Sequence, residues 1–173
     1  MKFTANSGDL QRTLSKIGGV IPAKSTMPIL ENMLFDLRNN TLTITATDLE
    51  LSLIATLNVK GSEDGAIAVP AKRLLDTIRS LPDISTEFAI DVTTNRIRIT
   101  TENGEYTLTG EYAREFPSVE QIKTAEEITL ETNLLKRIIH RTAFAVSVDE
   151  LRPAMMGVLL QPRGKELTAV SHG

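Results

Sequence analysis

The chain repeats part of itself, and this repeat constrains the fold more than any other feature of the sequence. A shift of 125 positions aligns residues 3–48 with residues 128–173 without a gap. Identical pairs occur at polar and apolar positions: Thr4/Thr129, Leu10/Leu135, Arg12/Arg137, Pro28/Pro153, Leu34/Leu159, Leu42/Leu167 and Thr43/Thr168. A period of this kind indicates a modular fold in which each copy is built from the same supersecondary unit.

Within the first 115 residues the apolar pattern predicts the same order of elements twice. A short strand and a helix over 9–17 precede three strands, at 29–37, 41–47 and 49–57. A short strand at 66–69 and a helix over 72–80 precede three more, at 87–92, 96–101 and 106–111. Residues 61–65 are predicted to form a flexible loop. The fold class is therefore α+β, with repeated strand-helix-three-strand units.

This order defines the expected domains. Residues 1–118 form a first domain of two units, residues 119–127 form a linker, and residues 128–173 start a third unit with a helix over 133–141. A whole domain would need a second unit after residue 173. The chain is therefore expected to be a truncated fragment that holds one domain and the first half of another.

Charge is distributed unevenly between helices and strands. The formal net charge is only -3, but the three helical windows carry eight basic residues against two acidic ones, Asp9 and Asp76. The basic residues are Arg12, Lys16, Lys72, Arg73, Arg79, Lys136, Arg137 and Arg141. On a helical wheel the aliphatic and basic residues occupy different faces. We expect the helices to lie on one face of the antiparallel sheets and to point their basic sides outward.

Two interpretations of the basic helices remain open. Lys and Arg are good helix formers and are common on solvated helix faces. That interpretation does not explain why acidic residues avoid these helices in an acidic chain. The alternative is a surface that contacts the phosphates of a polyanion without reading its sequence.

Several classes of function find no support in the sequence. There is no cysteine, no phosphate-binding glycine motif and no nucleophile elbow, so thiolate chemistry and the usual nucleotide loops are excluded. His140 and His172 lack the spacing of a metal site, and no cofactor is indicated. The N-terminal residues lack the apolar core of a secretion signal, and no apolar run could span a membrane. We expect a non-catalytic cytoplasmic protein with no membrane association.

Six segments in order along the chain carry a family resemblance: MKFT at the start, MPILENMLF (27–35), TATDLEL (45–51), VPAKRLLDTIRSLP (69–82), EFPS (115–118) and LRPAMMGVLL (151–160). With them the chain resembles the N-terminal part of the bacterial DNA polymerase III beta subunit family, the sliding clamps. The resemblance implies the DNA-clamp fold and a ring of two subunits that encloses duplex DNA without sequence preference. It also implies a processivity role, tethering DNA polymerase III, clamp loader subunits and repair proteins, without catalysis by the clamp itself.

The resemblance also implies sites. By position, Lys24, Lys72 and Arg73 match basic residues that contact DNA, and the other helical cations would face the hole of the ring. Near Arg152 the family can carry Gln and Tyr contacts, but this chain has Asp149, Pro153 and Ala154, which leaves Arg152 as the candidate there.

Two protein contacts are implied as well. Part of a partner-peptide groove maps to Met155, Ser171, His172 and Gly173, where the family's TDGH-type segment is poorly matched. The edge that would meet the next subunit of the ring maps to Ile78, Tyr106 and Leu108.

Two other hypotheses compete with a clamp. One is a non-catalytic protein-interaction module of similar architecture, whose sheet edges bind other chains. The other is a small α+β enzyme, for which the sequence offers no convergent polar residues. Neutralising the helices separates the first two, because it should abolish DNA association and spare peptide binding.

Overall fold

Residues 1–119, 128–149, 151–164 and 166–172 are described in the computed structural model of the chain. They belong to two units, Met1–Glu120 and Gln121–Gly173. Of the predicted linker only Val119 is described, and residues 120–127 lie outside the described residues. Among the described residues, no helix has the length and hydropathy needed to cross a membrane.

The first unit consists of two halves with the same order of elements. The first half contains β1 (Lys2–Asn6), α1 (Ser7–Ile17), β2 (Asn32–Arg38), β3 (Thr41–Thr47), β4 (Ser52–Asn58) and β5 (Lys60–Glu63). The second half contains β6 (Gly65–Pro70), α2 (Ala71–Ser80), β7 (Ser85–Asp91), β8 (Arg96–Thr101), β9 (Gly104–Thr109) and β10 (Glu111–Tyr112). Each half is therefore a strand, a helix and four further strands.

The two halves exchange strands. One antiparallel sheet has the order β5-β1-β7-β8-β9 and the other has the order β10-β6-β2-β3-β4. Strand β1 thus lies beside β7 of the second half, and β6 lies beside β2 of the first half. Neither half completes its own sheet, and this reciprocal exchange relates the two halves by a pseudo-twofold axis.

The core of the first unit crosses the boundary between the halves. Phe3 on β1 lies opposite Phe88 on β7, and their stacked rings have centroids 4.7 Å apart. Both side chains are 1% exposed. The rest of the core is mainly aliphatic, as expected from a chain with few aromatic residues. Burial of this apolar surface holds the exchanged strands in place.

The helices pack side by side against the sheets, and their spacing decides which residues are buried. Leu10, Leu14 and Ile17 of α1 are buried at intervals of four and three residues, so they share one helix face. Leu74 and Ile78 do the same on α2. α1 contacts both α2 and the strand β4. The basic residues are left on the opposite faces of both helices.

Two local predictions were wrong. Residues 29–31 were expected to begin a strand but lie in the 3-10 turn Pro28–Glu31, in which Leu30 N–H donates to Met27 O at 3.0 Å. The Asn32 side-chain amide also donates to the carbonyl of Pro28. Residues 61–65 were expected to be a flexible loop, but Lys60–Glu63 forms β5, which pairs with β1, and Gly65 begins β6. A partner so distant in sequence leaves no local pattern.

The second unit reproduces the first half of the first unit at the predicted shift of 125 residues. It contains α3 (Thr132–Thr142), β11 (Leu159–Arg163) and β12 (Glu166–Val170). The bounds of α3 are those of α1 moved by 125, and the pair Leu159↔Val170 corresponds to the pair Leu34↔Thr45. The repeat is therefore present in the structure as well as in the sequence.

The turn of the hairpin is also reproduced. Asn39 has a φ of 46° and its counterpart Gly164 has a φ of 59°. Both residues adopt the left-handed conformation that tight hairpin turns require and that Asn and Gly tolerate best. One element is not reproduced: the counterpart of β1, residues 128–131, is not in a strand. In the first unit that strand depends on β5 and β7, which have no counterparts among the described residues of the second unit.

Candidate nucleic-acid interface

The outer faces of α1 and α2 carry most of the predicted contact residues of the first unit. Arg12 and Lys16 are exposed on α1, and Lys72, Arg73 and Arg79 are exposed on α2. Lys24 is exposed on the segment that follows α1. We call six residues the basic helical surface: Arg12, Lys16, Lys24, Lys72, Arg73 and Arg79.

Most of this surface carries unneutralised charge. Arg12 pairs with Asp9 one turn earlier in α1. The other five residues of the surface form no ion pair with any carboxylate of the described residues. Several strand cations are paired, in contrast, as in Lys2–Glu87 at 3.1 Å, Arg38–Asp36 at 3.2 Å and Arg98–Glu105 at 3.3 Å. Among the described cations of the first unit that form no ion pair, four lie on α1 and α2 and a fifth, Lys24, follows α1; the remaining three are Lys60, Arg96 and Arg114.

Helix stability accounts for the charges of α1 and for Arg79 in the last turn of α2, but not for Lys72 and Arg73. α1 has Asn6 as its N-cap, Asp9 in its first turn and Lys16 in its last, which is the order that the helix dipole favours. In α2, Lys72 and Arg73 lie in the first turn, at the positive end of the dipole. The N-cap Pro70 provides no side-chain hydrogen bond there. Lys72 and Arg73 therefore oppose helix stability, which favours a role in binding an anion.

This conflict predicts that stability and binding respond in opposite directions. We expect the double substitution Lys72→Glu/Arg73→Glu to raise the free energy of unfolding by about 0.3–1 kcal/mol per residue, because each glutamate suits the positive end of the helix. The same change should weaken association with a polyanion. Urea unfolding and binding of duplex DNA measure the two effects. A matched control, Lys60→Glu/Arg96→Glu, reverses two exposed strand cations and should not produce the stability gain.

A groove brings α2 and the segment after α1 together. Its volume is about 490 Å³. Its lining combines cations, acids and apolar residues. The cations are Lys72, Arg73 and Arg79, the acids are Glu31 and Asp76, and the apolar residues include Ile21, Pro22, Ala23, Pro28 and Leu75. Ser25 N–H donates to the Glu31 carboxylate at 3.3 Å and holds the segment to the following turn. Lys24, next to Ala23, is therefore carried by a segment that shares this groove with the basic face of α2.

In the second unit the predicted contacts differ in their surroundings. Lys136, Arg137 and Arg141 are exposed on α3 and, within the described residues, have no carboxylate partner. Arg152 is exposed but pairs with Asp149, with Nε and Oδ2 2.8 Å apart. A DNA contact by Arg152 would therefore compete with this ion pair.

The predicted partner-groove residues make contacts within their own unit. Met155 is half-buried and its carbonyl accepts a hydrogen bond from Ser147 N–H at 2.9 Å. The Ser171 hydroxyl donates to the carbonyl of Thr142. His172 is exposed, and Gly173 lies outside the described residues. The groove itself stays a prediction.

The predicted subunit edge needs a correction. Ile78 is 0% exposed and belongs to the core, because it follows Leu74 by four residues on the buried face of α2. It offers no surface to another chain, so its assignment to the edge was wrong. Leu108 is also buried, and Tyr106 is half-buried against the core. Of the three, Tyr106 has the most surface available for such a contact.

The described residues contain no cluster of three or more His, Cys, Asp or Glu side chains that could hold a metal ion. Asp91 is the acid with a clear pKa shift within the described part of the chain. Hydrogen bonds from Thr93 and Thr94 lower its pKa to about 2. These bonds stabilise the ionised carboxylate at the end of β7, where it caps the following turn rather than acting as a general acid.

Comparisons with known proteins find relatives of one family. Residues 1–120 match the sequence model described as DNA polymerase III beta subunit, N-terminal domain. The chain is 31% identical over 172 residues to a beta sliding clamp of Escherichia coli strain K12, covering 99% of this chain and 47% of that protein. It is 33% identical to a beta sliding clamp of Pseudomonas putida, with the same coverages. The chain therefore spans about half the length of the curated relatives it matches.

Solved structures give the same result for the fold. The DNA polymerase III subunit beta of Pseudomonas aeruginosa matches with a TM-score of 0.93 and 29% identity, over 99% of this chain and 47% of that one. The beta sliding clamp of Caulobacter crescentus matches with a TM-score of 0.87 and 31% identity, over the same shares of the two chains. The predicted α+β fold class, with helices on one face and antiparallel sheets on the other, is confirmed.

Proposed function

Because this chain belongs to the DNA polymerase III beta subunit family, we propose that it forms part of a sliding clamp. In this role a ring of two subunits encloses duplex DNA and holds the replicative polymerase on it. The observation that best supports the proposal is the set of unpaired cations on α1 and α2, which strand charges do not neutralise. The helices would face the DNA and the sheets would form the outer wall.

The chemistry of the basic helical surface suits sliding rather than sequence recognition. Lys and Arg side chains on two short helices can contact phosphates, and these contacts carry no sequence information. Each contact releases condensed counterions, so its strength depends on salt and varies little along the duplex. Tight contacts with base edges would instead hold the protein at one site. Weak phosphate contacts, with a ring to prevent dissociation, allow movement along DNA.

Partners and location follow from the same role. The proposed protein partners are DNA polymerase III, clamp loader subunits and repair proteins, which would bind the clamp while it stays on DNA. The clamp would contribute no catalytic step and need no cofactor. The proposed place of action is the bacterial cytoplasm. The division into a first domain over 1–118 and the first half of a second over 128–173 belongs to the same proposal.

We expect the 173-residue chain to bind duplex DNA weakly, without sequence preference and with strong dependence on salt. Fluorescence anisotropy on several random duplexes at two salt concentrations measures this. The logarithm of the binding constant should fall with the logarithm of salt at about -0.9 for each phosphate contacted. Affinity that does not depend on salt, or that differs tenfold or more among duplexes, would contradict the proposal. Binding of partner peptides without any DNA binding would favour the interaction-module hypothesis.

A further inference from the structure

One position on α2 carries a charge opposite to that of its counterparts on α1 and α3. The first two helices begin at residues 7 and 71, so a shift of 64 residues aligns them and places the buried Ile78 on the buried Leu14. The same shift places Asp76 on Arg12, and the 125-residue repeat places Arg12 on Arg137. A position that is arginine on two helices is therefore an acid on α2.

Helix stability does not explain this acid. Asp76 is exposed and lies beyond the first turn of α2, where the helix dipole would favour a carboxylate. It forms no ion pair with any cation of the described residues. In α1, by contrast, Asp9 lies in the first turn and pairs with Arg12 three residues later. In α2 the order is reversed, because Arg73 precedes Asp76, and a helix favours that order less.

Asp76 lies in the middle of the basic face of α2. On a helical wheel Lys72 and Arg79 lie about 40° and about 60° from it on one side, and Arg73 lies about 60° from it on the other. All four residues line the groove of about 490 Å³ described above. A phosphate that contacts these cations therefore comes close to an unpaired carboxylate.

We propose that Asp76 limits the affinity of the basic helical surface for duplex DNA. Because it concerns the same surface, this proposal rests on the proposed function. Repulsion between a carboxylate and phosphates acts over about 10 Å at 0.1 M salt, and one helical turn is only about 5.4 Å long. The carboxylate therefore offsets part of the attraction of the cations and gives no preference for any base. Contacts that stay weak suit a protein that moves along the duplex.

Substitution of Asp76 should tighten DNA binding. We expect Asp76→Asn to lower the dissociation constant for a random-sequence duplex by about three- to tenfold at low salt, because the repulsion is removed and the cations stay. Asp76→Arg restores the residue type of the counterpart positions and should tighten binding further. It should also make the slope of the logarithm of the binding constant against the logarithm of salt more negative by up to about 0.9, the value for one added phosphate contact. Anisotropy titrations of the 173-residue chain at several salt concentrations measure these effects.

Salt and a matched control separate this role from a change in helix packing or in net charge. The gain from Asp76→Asn should shrink as sodium chloride rises toward 1 M, where the screening length falls to about 3 Å. The controls Glu102→Gln and Glu102→Arg change the net charge equally at an exposed acid between β8 and β9, which also has no ion-pair partner among the described residues. They should change the dissociation constant by less than about twofold. Urea unfolding checks that every variant is folded.

The outcomes distinguish this proposal from the proposed function. If the unchanged chain binds DNA and neither Asp76 substitution tightens binding, the role of Asp76 is refuted and the proposed function stands. Equal tightening by the Glu102 substitutions, or a gain that does not shrink with salt, would also refute the role of Asp76. If neither the unchanged chain nor the Asp76 variants bind DNA at low salt, both proposals fail.

Discussion

Phe3→Ala should lower the free energy of unfolding of the first unit by about 3–5 kcal/mol, the usual cost of removing a buried aromatic side chain. Phe3 is 1% exposed and stacks on Phe88, so the truncation leaves a cavity between strands from different halves. Both tyrosines of the chain, Tyr106 and Tyr112, belong to the first unit. Urea unfolding followed by tyrosine fluorescence therefore reports on this unit.

A double-mutant cycle and a surface control give this prediction its specificity. Phe3→Ala and Phe88→Ala should show a coupling energy of about 0.5–1.5 kcal/mol, as stacked aromatic pairs do. The control Phe144→Ala removes a side chain that is 84% exposed in the second unit and should change the stability of the first unit by less than about 0.5 kcal/mol. A loss below about 1 kcal/mol for Phe3→Ala would mean that β1 is not held in the sheet of the second half.

Removal of the unpaired helical charges should nearly abolish DNA binding. We expect a variant with four substitutions in the first unit to weaken duplex binding at low salt by roughly a hundredfold or more. It should also reduce the slope of the logarithm of the binding constant against the logarithm of salt by up to about 0.9 per substituted residue. The variant is Lys16→Gln, Lys72→Gln, Arg73→Gln and Arg79→Gln. Arg12 is left in place because Asp9 already offsets its charge. Anisotropy titrations at several salt concentrations measure both quantities.

The matched control removes the same number of charges from the sheets. It consists of Lys2→Gln, Arg38→Gln, Arg96→Gln and Arg98→Gln, all on strands. Both variants have the same net charge, so a difference between them reports position rather than overall charge. We expect the control to bind DNA nearly as well as the unchanged chain. Equal weakening in both variants would show that only net charge matters, and the proposed interface would be refuted.

Local pattern predicted much of this fold. The spacing of Leu10 and Leu14 identified the buried face of α1, and strict alternation located β3. The repeat located α3 and the β11–β12 hairpin by reference to the first half. In these cases the decisive interactions lie within one helix or one hairpin, where period and turn residues carry the information.

Long-range pairing could not be predicted in the same way. Alternation shows which side chains share a face but not which strand lies alongside, so the exchange of β1 and β6 between sheets was not foreseen. The strand Lys60–Glu63 was missed because its partner β1 is distant in sequence. For residues 128–131 the local pattern predicts too much. Their apolar pattern matches β1, but they are not in a strand, because a strand needs a neighbour to pair with.

The candidate site was predictable in composition but not in detail. The excess of Lys and Arg in the helical windows pointed to the basic helical surface, and the structure leaves most of those charges exposed and unpaired. The pairing of Arg152 with Asp149 depends on the conformation of the local turn. The burial of Ile78 depends on which face of α2 packs against the sheets. A signal for Lys72 and Arg73 was present, because Pro70 marks the helix start and places both cations in its first turn.

The central claim is that the helical face of the first unit, and not the face of its sheets, contacts duplex DNA. Amide chemical-shift mapping of the isotopically labelled 173-residue chain with a random-sequence duplex tests this directly. We predict that the shifts caused by DNA are concentrated in α1, α2 and residues 21–27, and that added salt reverses them. Shifts concentrated in the sheet strands β8 and β9, or no saturable shifts at low salt, would contradict the account.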